Sequence, residues 1–95
     1  MYKNIYDISL DLKSHGIKGN LASNDQWEIM DYYGYYLDSK YYGMTKKMSD
    51  AELKENLISN KIDYYFIWGD SSSNLDLGEI VYQSRGFRVL RLSKS

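Results

Sequence analysis

The residues equipped for chemistry are few and far apart. A serine stands in Gly69-Asp70-Ser71, but a serine attacks only when a base takes its proton and a third group orients that base. The one histidine, His15, lies early in the chain, where the local pattern reads as the end of a helix. A helix C-terminus favours positive charge, so this is its simplest role. No cysteine is present, and a lone histidine has no partner with which to hold a metal, so no metal site is expected. Asp70 and Asp76 could act as paired carboxylates only at a separation that the fold would have to set; a loop cap and a helix-start charge are the plainer roles. Gly16 and Gly19 do not form a dinucleotide fingerprint, and no lysine follows a Gly-rich turn. No catalytic residue and no cofactor are expected.

Binding chemistry has a better foothold. In an open parallel sheet, ligands sit beyond the carboxyl ends of the strands, where successive connections diverge. Two polar loops could meet there, Ala22-Ser23-Asn24-Asp25 and Trp68-Gly69-Asp70-Ser71. With Trp27 they suggest a cleft of Ser23, Asn24, Trp27, Trp68, Asp70 and Ser71, suited to a sugar against aromatic walls or to an anion at a helix N-terminus. The plainer reading is of caps and core tryptophans. Gly69-Asp70-Ser71 is also similar to the first block of the Gly-Asp-Ser esterases, but that arrangement needs a late Asp and His, and the one histidine, His15, is early.

The organising stretch is Ile62–Ser73: Ile62–Trp68, the longest run rich in aromatic and β-branched residues, reads as a central strand that ends in a polar loop. Before it, residues 4–15 read as a helix with Ile5, Ile8, Ser9 and Leu12 on one stripe and Gly16 as its terminator. Ile17–Ala22 reads as a short strand in which Gly19 permits close approach by another group. Ser23-Asn24-Asp25 turns and caps, and a helix is expected from Asp25 to Leu37, with Trp27, Met30, Gly34 and Leu37 buried and tyrosines around them. Lys40–Met44 reads as a strand near an edge. Ser49-Asp50-Ala51-Glu52 is a capping box that opens a helix to Ser59, with Leu53 and Leu57 as its core pair and Asn60 ending it. A short helix is expected from Leu75 to Ser84, with Leu77, Ile80, Val81 and Ser84 on one face and Gly86 as its end. Phe87–Leu92 is the last strand.

One local pattern recurs: Ser14–Ile17, Ser59–Ile62 and Ser84–Phe87 each read as a helix end dropping through a polar turn into a strand. Alternating helices and strands predict an α/β fold with a mostly parallel sheet and same-handed crossovers. The expectation is a small Rossmann-like or flavodoxin-like layered domain of about four strands, ordered 2-1-3-4, with helices on both faces. The last crossover is short enough for an antiparallel final strand.

The 95 residues are enough for a single α/β domain spanning 1–95 with its own core. Twelve basic against thirteen acidic residues give a net charge of −1, which offers no case for nucleic acid. No apolar run approaches the ~18 residues of a membrane span. The 11 tyrosines supply contact area with a polar tip, as at wet interfaces and sugar sites, or simply an aromatic core. Arg85, Arg88, Arg91 and Lys94 follow the last acid, Glu79; they read as charge that keeps an edge strand from aggregating, or as contacts for anionic lipid.

The succession Leu12–Asn24 (L-K-S-H-G-I-K-G-N-L-A-S-N), Lys40–Gly43 (K-Y-Y-G), a helix Leu53–Ser59 leading to Ile62–Asp70 (I-D-Y-Y-F-I-W-G-D), and a closing G-F-R-V-L-R-L resembles a known kind of domain. It is similar to the soluble carboxyl-terminal domain of prokaryotic polytopic membrane proteins of the dolichyl-phosphate-mannose type, glycosyltransferases that use lipid-linked sugars. The resemblance covers nearly the whole chain and rests on structural patterns. It implies an accessory domain on the extracytoplasmic face, next to the membrane domain of the same polypeptide and in reach of an acceptor glycan. It also implies chemistry in acidic membrane-adjacent loops that this sequence does not contain, so no catalytic residue is carried over. Two other classes stay open: a freestanding, cytoplasmic α/β binding or interaction module that pairs through Lys40–Met44, and a small hydrolase built on Asp70 and Ser71.

Overall fold

A computed structural model describes residues 2–44, 50–69, 78–84 and 86–92. Its elements are α1 (Tyr2–Ser14), β1 (Asn20–Ser23), α2 (Trp27–Tyr36), β2 (Lys40–Met44), α3 (Asp50–Ser59), β3 (Tyr64–Trp68), β4 (Gly78–Ser84) and β5 (Phe87–Leu92). They form a mixed α/β fold around one five-stranded sheet ordered β2-β1-β3-β5-β4. β1 runs parallel to both β2 and β3, while β5 runs antiparallel to β3 and to β4. Four strands therefore point one way and β5 alone opposes them.

Strand periodicity divides the core into two layers, because successive side chains on a strand leave opposite faces. Leu21, Phe66, Phe87 and Val89 join Ile5 and Leu12 of α1 and Met30, Tyr33 and Leu37 beside them on one face. Ala22, Tyr65, Ile67, Leu90 and Leu92 meet Leu53 and Leu57 of α3 on the other. Helices thus cover both faces. The route β1–α2–β2–α3–β3 steps outward and then back past β1, and same-handed crossovers in opposite directions place α2 and α3 on opposite faces.

The helix-to-strand pattern is real, and its physical basis is one capping geometry used three times. After α1, Gly16 N–H donates to Lys13 O (3.0 Å) and Ile17 N–H to Leu12 O (3.2 Å). After α2, Asp38 N–H donates to Tyr35 O (3.2 Å) and Ser39 N–H to Gly34 O (2.8 Å). After α3, Lys61 N–H donates to Ile58 O (3.0 Å) and Ile62 N–H to Leu57 O (3.0 Å). Each is a Schellman turn with one left-handed residue: Gly16 at φ 75, Asp38 at φ 51 and Lys61 at φ 55. The residue that ends α3 is therefore Lys61 and not Asn60, whose side-chain amide instead donates to Asn56 O (2.9 Å). Lys61 holds a conformation that costs an L-residue about 1–2 kcal/mol. Lys61→Gly should stabilise the fold by about 0.5–1 kcal/mol, read as a rise in the urea midpoint at constant slope.

The third expected instance, at Ser84–Phe87, is a correction. The segment expected as a helix over Leu75–Ser84 is strand β4 across 78–84, and residues 70–77 lie outside the described residues. The tract Ile80-Val81-Tyr82 is β-branched and aromatic, and pairing with β5 outweighs the weak helical stripe. Gly86 (φ 93) still supplies a left-handed residue, but it sits at the tip of the β4–β5 hairpin rather than at a helix end. Five strands replace four; the first four positions keep the order expected, and β5 is the antiparallel strand.

Smaller shifts also have causes. β1 begins at Asn20 rather than Ile17, because Gly19 at φ 133 breaks the extended run. α2 begins at Trp27 rather than Asp25, after a left-handed Gln26 (φ 62) with no side-chain cap. Trp27 is 53% exposed, and Tyr33, at 1%, takes its expected place in the buried stripe. Leu53 and Leu57 are buried as expected. Ser49 of the capping box lies outside the described residues.

Candidate functional site

The carboxyl ends of β1 and β3 lie side by side, which is where the sequence places its cleft. Asn24, just past β1, bonds across to β3. Asn24 Oδ1 accepts from Trp68 N–H (2.6 Å), Asn24 Nδ2 donates to Trp68 O (3.1 Å), and Asn24 N–H donates to Phe66 O (3.1 Å). The side-chain amide thereby adds one more rung to the parallel ladder.

Ser23 is fully buried, and its hydroxyl donates to Asp25 O (2.8 Å). Having one proton to give, it accepts from the Tyr41 hydroxyl at 2.7 Å. Burial pushes the Tyr41 phenol up; the Ser23 bond opposes this and the nearby Asp31 adds to it. Tyr41 therefore stays a neutral donor, locking the start of β2 to the end of β1.

Trp68 is half-buried. Its ring stacks on Phe87 (centroids 4.5 Å apart, planes at 29°) and on Tyr33 (6.4 Å, 11°). Its indole N–H is buried and finds no acceptor among the described residues. Trp27 shares the α2 side of the sheet with Trp68, but makes no ring contact among the described residues and faces solvent. The structure thus joins Asn24 to Trp68 and Ser23 to Tyr41, and leaves Trp27 outside. Asp70 and Ser71 lie outside the described residues.

Burial, with a smaller effect from nearby Tyr82, pushes the Tyr33 hydroxyl far above its ordinary 10.0. Burial, and then the Asp11 carboxylate, also raises Tyr82. A raised phenol makes its full contribution to stability below pH 10.0 and loses it as pH climbs toward the folded-state value. The urea midpoint should hold level to about pH 9 and then fall, and Tyr33→Phe should flatten that fall.

His15 is a helix-end residue as expected. Its Nδ1 lies 2.8 Å from Asp11 O, and its ring meets Tyr82 edge-on at 5.1 Å. The Tyr82 hydroxyl donates to Asp11 Oδ2 at 3.3 Å. No group of three or more metal-ligating side chains occurs among the described residues.

Among the described residues, a concave feature lies at the other end of the strands. A surface hollow of about 340 Å³ is lined by Lys13, Gly16, Ile17, Lys18, Leu37 and Asp38, where α1 and α2 hand over to β1 and β2. Lys18 pairs with Asp38 across it at 3.6 Å, both well exposed. A residue whose role the sequence does not announce is Asp63. Its carboxylate accepts from Asn20 N–H (2.9 Å) and lies against Gly19, its N–H donates to Asn20 O (2.8 Å), and its carbonyl accepts from Leu92 N–H (3.1 Å). An acid heading an otherwise apolar strand was the available signal.

No family model, curated protein or solved structure matches the chain. No described helix is long and apolar enough to cross a membrane.

Proposed function

We propose that the chain is an accessory, non-catalytic domain of a membrane-embedded glycosyltransferase-like protein that uses a lipid-linked sugar. It would stand on the extracytoplasmic face, beside the membrane domain of its own polypeptide and in reach of an acceptor glycan. The observation that supports this reading is how the two longest blocks of the resemblance meet. Leu12–Asn24 and Ile62–Asp70 bond to each other at both ends, through Asp63 with Asn20 and through Asn24 with Trp68. Asn20, Asn24 and Asp63 thus serve the framework, which suits a domain that supports chemistry done elsewhere. The β1–α2–β2–α3–β3 portion is, on this reading, a Rossmann-like half with an antiparallel hairpin added.

The test is the native gene upstream of the codon for residue 1. Several in-frame apolar segments of roughly 20 residues are expected, together with sugar transfer by the full polypeptide and none by residues 1–95. A stop codon followed by a genuine start would sink the reading. The second reading is then a freestanding cytoplasmic interaction module, favoured by β2, which ends the sheet among the described residues and on which Tyr42 and Met44 are each 46% exposed.

A further inference from the structure

We propose that β2 pairs antiparallel with β2 of a second copy of the chain, about a two-fold axis at Tyr41. The inference does not depend on what else the polypeptide carries.

β2 is one end of the sheet. Lys40 N–H donates to Gly19 O (2.9 Å), so Lys40 turns its backbone toward β1. Alternation along a strand then turns the N–H and C=O of Tyr41 to the open side. Gly34 of α2 lies beside Tyr41: a Cβ at position 34 would stand 3.5 Å from Tyr41 Cβ and 3.8 Å from Tyr41 N, contact distances that leave the backbone of Tyr41 without a bond to α2 among the described residues. A two-fold axis at Tyr41 lets the two copies exchange both backbone bonds, the hydrogen-bonded pair of an antiparallel ladder.

The same register decides the side chains. Lys40 of one copy falls opposite Tyr42 of the other, in the closer, non-hydrogen-bonded pairing. Within one chain Lys40 Nζ already lies over the Tyr42 ring, 4.9 Å from its centroid. Across the axis each ammonium gains a second aromatic face, and the lysines do not oppose each other. Lysine on an edge normally deters pairing; here it meets an aromatic ring. The left-handed Gly43 (φ 123) and the irregularity between β1 and β2 confine pairing to the first residues of the strand. The contact is therefore small, below the roughly 1,200 Å² of a standard interface, and the dimer is weak. Being isologous, it closes at two copies. The opposite edge, β4, has its own irregularity between Ile80 and Tyr82 and carries Glu79 paired to Arg91 (2.7 Å).

Sedimentation velocity on the 95-residue chain, from about 10 μM to about 1 mM, should show a monomer–dimer equilibrium. Tyr42→Lys sets a new lysine opposite Lys40 on each side of the axis and should weaken dimerisation by about tenfold or more. Because Tyr42 is 46% exposed, the variant's circular dichroism and urea midpoint should stay near those of the parent. The double variant Lys40→Glu with Tyr42→Lys places a carboxylate at position 40 against the lysine introduced at position 42 of the other copy, and should restore association. An axis at Tyr42 would instead oppose the two new lysines and give no rescue. A chain monomeric throughout, a dimer indifferent to Tyr42→Lys, or a double variant that stays monomeric would each overturn the proposal.

Discussion

Gly19→Ala should cost about 2–4 kcal/mol, from two independent terms. The first is conformational: Gly19 sits at φ 133, a region open to glycine and costly for any residue with a Cβ. The second is a clash. A Cβ at position 19 would press into the Asp63 carboxylate, 3.2 Å from its Cγ. That carboxylate cannot simply swing aside, because it accepts the Asn20 N–H at the start of β1. Gly19 is also held by its own N–H, which donates to Ser39 Oγ (3.0 Å), and by its carbonyl, which accepts from Lys40. Denaturant unfolding of Gly19→Ala, Asp63→Ala and the double variant separates the terms. The double variant should fall short of the sum by about 1 kcal/mol or more. A Gly19→Ala loss under about 0.5 kcal/mol would remove the argument.

Asn24→Ala should cost about 2–3 kcal/mol. Alanine leaves the Trp68 N–H and C=O without their partner at a part-buried position, and an orphaned backbone group loses about 1–3 kcal/mol. Asn24→Asp keeps the acceptor for Trp68 N–H but turns the donor to Trp68 O into a second acceptor, so it should recover little. Trp68 fluorescence follows both, since loss of the clamp frees the indole from its stack on Phe87. If Asn24 were a ligand residue with no structural duty, Asn24→Ala would leave the urea midpoint in place.

Much of the fold was legible because local and global signals agreed. Leu53 with Leu57, Ile5 with Leu12, and Tyr65, Phe66 and Ile67 in sequence each state a period that the fold uses. Gly16 announced its turn because glycine is the ordinary left-handed residue. Asp38 and Lys61 did not, because what holds them left-handed is the pair of backbone bonds on either side. β4 was misread because Leu77, Ile80, Val81 and Ser84 satisfy a helical stripe, while the deciding partner, β5, comes later in the chain. At the candidate site the sequence names Asn24 and Trp68, which stand at neighbouring strand ends. It could not reveal that Asn24 would spend both ends of its amide on Trp68, a contact 44 residues away. The same limit hid Asp63, whose importance comes from Gly19 and Asn20 across the sheet.

The place of β5 has a consequence for synthesis. It follows every other strand along the chain, yet it lies between β3 and β4 in the sheet. Until residues 87–92 leave the ribosome, β3 presents an open edge bearing Tyr65, Phe66 and Ile67, and β4 has no neighbour to pair with. The apolar centre of the sheet is therefore sealed only when β5 docks, and until then the β3 edge is most open to another chain or a chaperone.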